Sequence, residues 1–265
     1  MRIRALLVLL WLAWVGTAQA ASFSADSRQA DTPVFFAPER VIALAKKVEK
    51  VLAAKGARVA IIGRIGRPAS EMPEGMRYTH AAFAVYSVIT THDGRQLPGY
   101  ATFNEYQSDT KPDTSSLVQD YPVDFYAAVA ELEAGVIIPS PELQKRLLEV
   151  IDSPTYAALH DPRYSAIANP FTLGRQNCTE FVLDVIHAAI YRTSDIHLIK
   201  ASEKAYFVPQ RVNVNPLKLL LGALFTAEVS LSDQPAEPVT ATFETLGAHL
   251  LKYDQGAEMF TLTAD

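Results

Sequence analysis

Apolar residues recur at helical spacing through Val41, Ile42, Ala45, Val48 and Leu52, with Pro38 near the start and Gly56 at the end, which predicts a helix between them. Arg58 to Ile65 is rich in β-branched residues and reads as a buried strand, and the prolines and glycines between Gly66 and Met76 read as a loop. His80 to Thr90 carries Phe83, Val85, Val88 and Ile89 and is the strongest strand in the chain. Asp93-Gly94 is a favoured two-residue hairpin turn, so a return strand through Tyr100, Thr102 and Phe103 should pair with it.

Beyond residue 121 the pattern turns helical. Helices are predicted from Pro122 to Ala134 with Gly135 as the stop, from Ser140-Pro141 to Ile151, and over a shorter piece opened by Ser153-Pro154. Others follow Cys178, run from Asn215-Pro216 to Phe225, and span Phe243 to Lys252, with strands at Glu228 to Leu231 and Met259 to Leu262. A hairpin with clustered helices and no internal repeat implies an α+β fold rather than a doubly wound sheet.

The N-terminus follows a different pattern. Arg2 and Arg4 precede an apolar stretch from Ala5 to Val15, then Ala18-Gln19-Ala20, which is the order of a secretory signal peptide over residues 1–20. The stretch is short for a membrane span, and no later segment is long and apolar enough. A small, polar lead-in over 21–36 and one α+β domain over 37–265 complete the expected organisation. Localisation is expected to be periplasmic or secreted.

The net charge of -5 becomes about -7 once Arg2 and Arg4 are removed, and the remaining basic residues are scattered, which argues against nucleic acid as a partner. Cys178 is the single cysteine, so an exported chain would carry a free thiol and no intramolecular disulfide.

That thiol has a specific setting. Phe181, Val182, Val185, Ile186 and Ala189 form one apolar stripe, which places Cys178 in the first turn of its helix on the inward face. A helix N-terminus favours the thiolate, the nucleophilic form. His80, at the mouth of the strongest strand, is the best-placed base. A lone cysteine is more often a small buried hydrophobe, and a strand-end histidine often only a hydrogen-bonded boundary residue.

Asn177-Cys178-x-x-Phe181-Val182 at a helix start, downstream of a strand beginning with His80, resembles the permuted papain-like cysteine hydrolases, which include NlpC-related and lecithin:retinol acyltransferase-like proteins. The whole mature chain also resembles a family of secreted proteobacterial proteins of unknown function. The wider resemblance covers chiefly residues 77–107 and 164–191. It implies Cys178 as nucleophile, His80 as base and a third polar residue on the following strand. A two-residue turn at Asp93-Gly94 would place Gln107 opposite His80, whereas a longer loop or bulge brings Asn104 into range; Asn104 is chosen, because its carbonyl can accept from an imidazole. His92 falls at the hairpin tip and reads as a solvated turn residue.

No cofactor or metal is expected, since His187 and His197 lack metal-ligand spacing. Leu219 to Leu221 and the aromatic residues Tyr121, Phe125 and Tyr126 read as core before they read as binding surface. The expected function is a periplasmic cysteine hydrolase or acyl-transfer enzyme acting on an amide, peptide or ester bond, with cell-wall peptide or lipid acyl groups as substrate classes. The competing expectation is a non-catalytic binding or assembly module.

Overall fold

A computed structural model describes residues 35–213 and 229–264. The expected signal peptide, all but the last two residues of the lead-in, and the helix at 215–225 lie outside the described residues. The elements in chain order are α1 (Pro38–Ala54), β1 (Val59–Arg64), β2 (His80–Thr90), β3 (Gln96–Gln107), β4 (Ser115–Asp120), α2 (Pro122–Tyr126) and β5 (Glu133–Ile138). There follow α3 (Pro141–Ile151), α4 (Pro154–Ala158), α5 (Cys178–Tyr191), α6 (Ile196–Tyr206), β6 (Gln210–Arg211), β7 (Val239–Thr240), α7 (Phe243–Tyr253) and β8 (Glu258–Thr263).

The fold is α+β. One antiparallel sheet of six strands, ordered β4-β3-β2-β1-β5-β8, carries helices on both faces. Alternation along the strands divides the core in two. Ile61, Phe83, Val85 and Ile137 pack with Phe181, Val182 and Val185 of α5 and with Phe243 of α7. Ile62, Ala82, Ala84 and Val136 pack on the other face, with Leu44 and Val48 of α1 and Phe125 and Tyr126 of α2. The small Ala82 and Ala84 let the helices of that face lie close to the sheet.

Two expectations need correction. The helix predicted from Pro122 to Ala134 ends at Tyr126, and Glu133–Ile138 is a strand between β1 and β8, with Gly135 inside it rather than capping a helix. The reason is tertiary: Gly135 pairs with Gly63 of β1, and the bare backbone of the two makes room for the Phe243 ring. Val229 to Leu231 forms no strand, and Glu228 lies outside the described residues. The strand β4 and the helix α6 were not foreseen.

The hairpin is also one residue longer at its tip than a two-residue turn. Thr91 N–H donates to the Arg95 carbonyl at 2.8 Å, which leaves His92, Asp93 and Gly94 as the loop, with Gly94 at φ +82°. Phe83 therefore pairs with Phe103 and Ala84 with Thr102. Continued to the strand end, this register sets Tyr106, not Gln107, opposite His80.

Candidate active site

β2 and β3 pair from Thr90–Gln96 to Phe83–Phe103, and beyond that point β2 continues on β1 while β3 continues on β4. The split leaves Ala81 N–H without the Glu105 carbonyl that a continued ladder would supply. The N–H turns instead to the sulfur of Cys178, delivered by the first turn of α5. Asn177 caps that turn, its side chain accepting from Glu180 N–H at 2.9 Å, and Thr179 N–H also faces the sulfur.

His80 lies on the other side of the same split. Its side chain points to the α2 face, stacks on Tyr106 with ring centroids 4.9 Å apart, and contacts Phe125. Nε2 lies 3.1 Å from Asn104 Oδ1. Asn104 Nδ2 donates to Asp120 at 2.8 Å, and Asp120 also accepts from the hydroxyls of Thr102 and Tyr106. With its amide nitrogen committed to a carboxylate, Asn104 presents its carbonyl oxygen to the imidazole. The His80 proton then sits on Nε2 and the lone pair on Nδ1. Nδ1 is buried and has no hydrogen-bond partner.

The structure thus joins His80 to Asn104 directly and brings Cys178 to the residue after His80, with no hydrogen bond from the thiol to the imidazole. Gln107 is on the opposite face, where it donates to the Pro112 carbonyl at 2.8 Å, and His92 is exposed at the hairpin tip. His197 is exposed on α6, Phe125 and Tyr126 are core, and Tyr121 is partly exposed. Among the described residues no group of three or more His, Cys, Asp or Glu side chains is arranged to hold a metal ion.

The electrostatics differ from the expected thiolate. Burial pushes the Cys178 thiol up to about 12, Ala81 N–H opposes this, and the neighbouring Glu105 adds to it. Burial also holds the His80 imidazole well below its usual range, reinforced by the Arg64 guanidinium and opposed by Asn104. Desolvation outweighs the helix terminus, so the resting pair is thiol and neutral imidazole rather than an ion pair.

Three features of the site escaped the sequence reading. Asp120 ends β4, whose Ser-Ser-Leu-Val-Gln-Asp sequence lacks the apolar alternation that marks a strand. Arg64, buried at the end of an otherwise apolar strand, pairs across from His80 and donates to the Phe125 carbonyl at 2.6 Å; a lone arginine closing Val-Ala-Ile-Ile-Gly was its only signal. Glu105 faces α5 with its carboxyl buried beside the Ser115 hydroxyl, outside regular hydrogen-bond geometry, and its pKa is pushed up to about 8, chiefly by burial and against the opposing effect of Ser115. Behind it Lys200 of α6 reaches Glu180 at 2.8 Å and Asp184 at 2.6 Å, an ion cluster that ties α6 to the cysteine helix.

Cys178 also borders a pocket of about 220 Å³. Its walls include Met72, Met76, Tyr78, Ile167 and Ala241, and its described lining holds no Lys, Arg or His side chain.

Fold and site together define an α+β protein with a buried cysteine at a helix N-terminus, set against a His–Asn–Asp chain at a split in an antiparallel sheet. The chain belongs to the bacterial family described as "uncharacterized protein conserved in bacteria" (DUF2145), whose model matches residues 51–250. No curated protein and no solved structure was found to match it.

Proposed function

We propose that the protein is a cysteine hydrolase or acyl-transfer enzyme of permuted papain-like type, with Cys178 as nucleophile, His80 as base and Asn104 as the residue that orients His80. The observation that carries this reading is the proton arrangement on His80. Nε2 is tied to Asn104, and the remaining buried nitrogen, Nδ1, is unbonded, one residue away from the N–H that touches the Cys178 sulfur. An unsatisfied buried acceptor costs about 1–3 kcal/mol, and a role as proton acceptor would give this one a use.

In this mechanism Nδ1 takes the thiol proton as the sulfur attacks a carbonyl carbon, so a preformed thiolate is unnecessary. The Asn177 cap accepts at Glu180, which leaves Cys178 N–H to receive the developing oxyanion. Collapse returns the proton from His80 to the leaving nitrogen or oxygen and leaves an acyl-thioester on Cys178, which water or an acceptor then resolves. Because the His80 ring lies on the α2 face and Cys178 arrives on α5, this mechanism requires substrate binding to bring the sulfur and Nδ1 together through the split between β2 and β3.

The apolar pocket favours an uncharged apolar group beside the scissile bond. A 150 Å³ apolar cavity takes benzene, so this one accommodates roughly nine heavy atoms. A cell-wall peptide would bring carboxylates for which the described part of the wall holds no cation, so of the two substrate classes the acyl one fits the described lining better. Residues 1–20 as a signal peptide would put this chemistry in the periplasm. The burial and raised pKa of Cys178 favour a second reading, a binding module in which the thiol is inert.

Labelling of Cys178 by p-nitrophenyl esters of increasing chain length, followed by intact mass, separates the two. The enzyme reading expects an acyl adduct that turns over, a rate that rises with chain length, and a loss of at least a hundredfold in His80→Gln. A thiol that stays unlabelled, or is labelled equally in both proteins, would leave only the binding module.

A further inference from the structure

Cys178 opens α5, and Tyr191 closes it about 20 Å away by helical rise. Tyr206 is the last residue of α6 and Tyr253 the last of α7, so three helices each finish on a tyrosine. All three border a second pocket of about 360 Å³, and each stays about half exposed. Tyr206 and Tyr253 meet edge to face with ring centroids 6.0 Å apart. Tyr253 also contacts His249 at 5.1 Å, and Tyr191 contacts His187 at 5.8 Å.

The two histidines are the buried part of this wall, and they carry no charge into it. With the Ser202 hydroxyl donating to His187 Nδ1 at 2.7 Å, His187 Nε2–H donates to His249 Nε2 at 3.2 Å, an ordinary hydrogen bond between neutral rings. Burial holds both imidazoles below their usual range.

The charged groups of the pocket are paired among themselves. Glu142 meets Arg146 at 3.0 Å and Arg192 at 4.0 Å, and Asp254 accepts from Ser140 N–H at 2.7 Å. Lys252 Nζ already stands 4.8 Å from the centre of the Tyr253 ring. An organic cation would therefore compete with Lys252 for that ring and face Arg146 as well. An anion would face Glu142, Asp254 and the negative faces of the rings. A wholly apolar ligand would strip water from the charged groups with nothing in exchange.

We propose that this pocket binds one neutral sugar ring, with the three tyrosines against its C–H face and Arg146, Glu142 and Asp254 at its hydroxyls. A sugar is uncharged, has an apolar face for aromatic rings, and carries hydroxyls that both donate and accept, which suits a guanidinium beside carboxylates. The size agrees: in proportion to benzene in 150 Å³, this pocket accommodates roughly fourteen heavy atoms, and one pyranose unit with its substituents has about twelve to fifteen. At the far end of α5 from Cys178, the site holds its ligand and does not cut it. Sequence periodicity could not reveal it, because the three tyrosines come from helices far apart in the chain.

The test is saturation-transfer NMR and calorimetry on the purified protein with methyl glucoside, methyl galactoside, methyl mannoside, N-acetylglucosamine and the β-1,4-linked tetramer of the last, with choline as the cationic control. Saturable binding of at least one sugar below about 10 mM is expected, with saturation strongest on its ring C–H protons and no binding of choline. Tyr206→Ala or Tyr253→Ala should weaken it at least tenfold. Tighter binding of the tetramer than of the monomer would name a glycan chain as the source, and the reverse a free sugar. If a variant fails to fold, the tyrosine ring resonances of the parent protein supply the same readout, since the sugar must shift those of Tyr206 and Tyr253. Failure of every sugar to bind, tighter binding of choline, affinities within threefold of the parent in both variants, or ring resonances that do not move would overturn the site and leave the tyrosines as a cover over the histidine pair.

Discussion

Arg64 and His80 stand directly across from one another on β1 and β2, both buried, a guanidinium beside an imidazole. The positive charge and the burial act in the same direction and keep His80 neutral in the folded protein. In the unfolded chain the same imidazole titrates at its ordinary value, near 6.5. Below that pH the unfolded state binds a proton that the folded state refuses, so His80 withdraws stability as pH falls, by up to about 1.4 kcal/mol per pH unit. Urea unfolding at pH 7.5, 6 and 5 should show a shallower acid loss in His80→Gln than in the parent protein. Equal slopes would mean that His80 is not buried neutral.

Glu105 has the opposite sign. Its folded pKa, about 8, lies above the ordinary 4.5, so between these values the unfolded state has released a proton that the folded state retains. The carboxyl therefore costs stability as pH rises from 4.5 to 8. Glu105→Gln should leave the melting temperature nearly unchanged at pH 4.5 and raise it progressively towards pH 8. The same substitution should lower the apparent pKa of Cys178, because it removes a charge that opposes the thiolate.

Asp120 holds Asn104 in the orientation that His80 requires. In Asp120→Asn one arm of the side chain becomes a donor, and Thr102, Asn104 and Tyr106 no longer share a common acceptor. The expected cost is about 1–3 kcal/mol of stability. If the amide of Asn104 turns over in response, Cys178 labelling falls and its pH profile shifts, a change that simple loosening of the core would not produce. An unchanged profile would show that Asp120 only stabilises the fold.

Gly63 and Gly135 form a bare cross-strand pair beneath Phe243. A Cβ built on Gly135 would lie 2.5 Å from the Phe243 ring and 2.8 Å from that of Tyr78, and one on Gly63 would lie 2.9 Å from Phe243. Gly135→Ala should therefore cost about 1–3 kcal/mol through overpacking, with Gly63→Ala at the lower end, as measured by thermal unfolding. Tyr78 borders the pocket beside Cys178, so Gly135→Ala should also disturb ester labelling more than Gly63→Ala does.

Local signals in the chain were strong where one element decides its own structure. α1, α3 and α5 were legible because each combines an apolar period with a proline, serine or asparagine start, and β2 because its run of β-branched and aromatic residues leads into Asp93-Gly94. Gly135 reads as a helix stop only while its neighbour across the sheet is unknown; once Gly63 and Phe243 are in place it is a strand residue with a packing task. The hairpin tip turned on one residue, and that residue decided whether Gln107 or Asn104 shared a face with His80.

By itself, then, the sequence determined the α+β class, the helix that presents Cys178 in its first turn, the strand that opens with His80, and the short list that held Asn104. Those follow from periodicity and capping, which act over a few residues. Only the tertiary structure decided that β2 and β3 part at Phe83, that the sulfur fills the gap, that Asp120 and Arg64 stand behind the histidine, and that His187 meets His249. Each of these depends on groups brought together from distant parts of the chain. The protonation states of Cys178 and His80 depend on them in turn, because burial, rather than the local helix terminus, sets their energies.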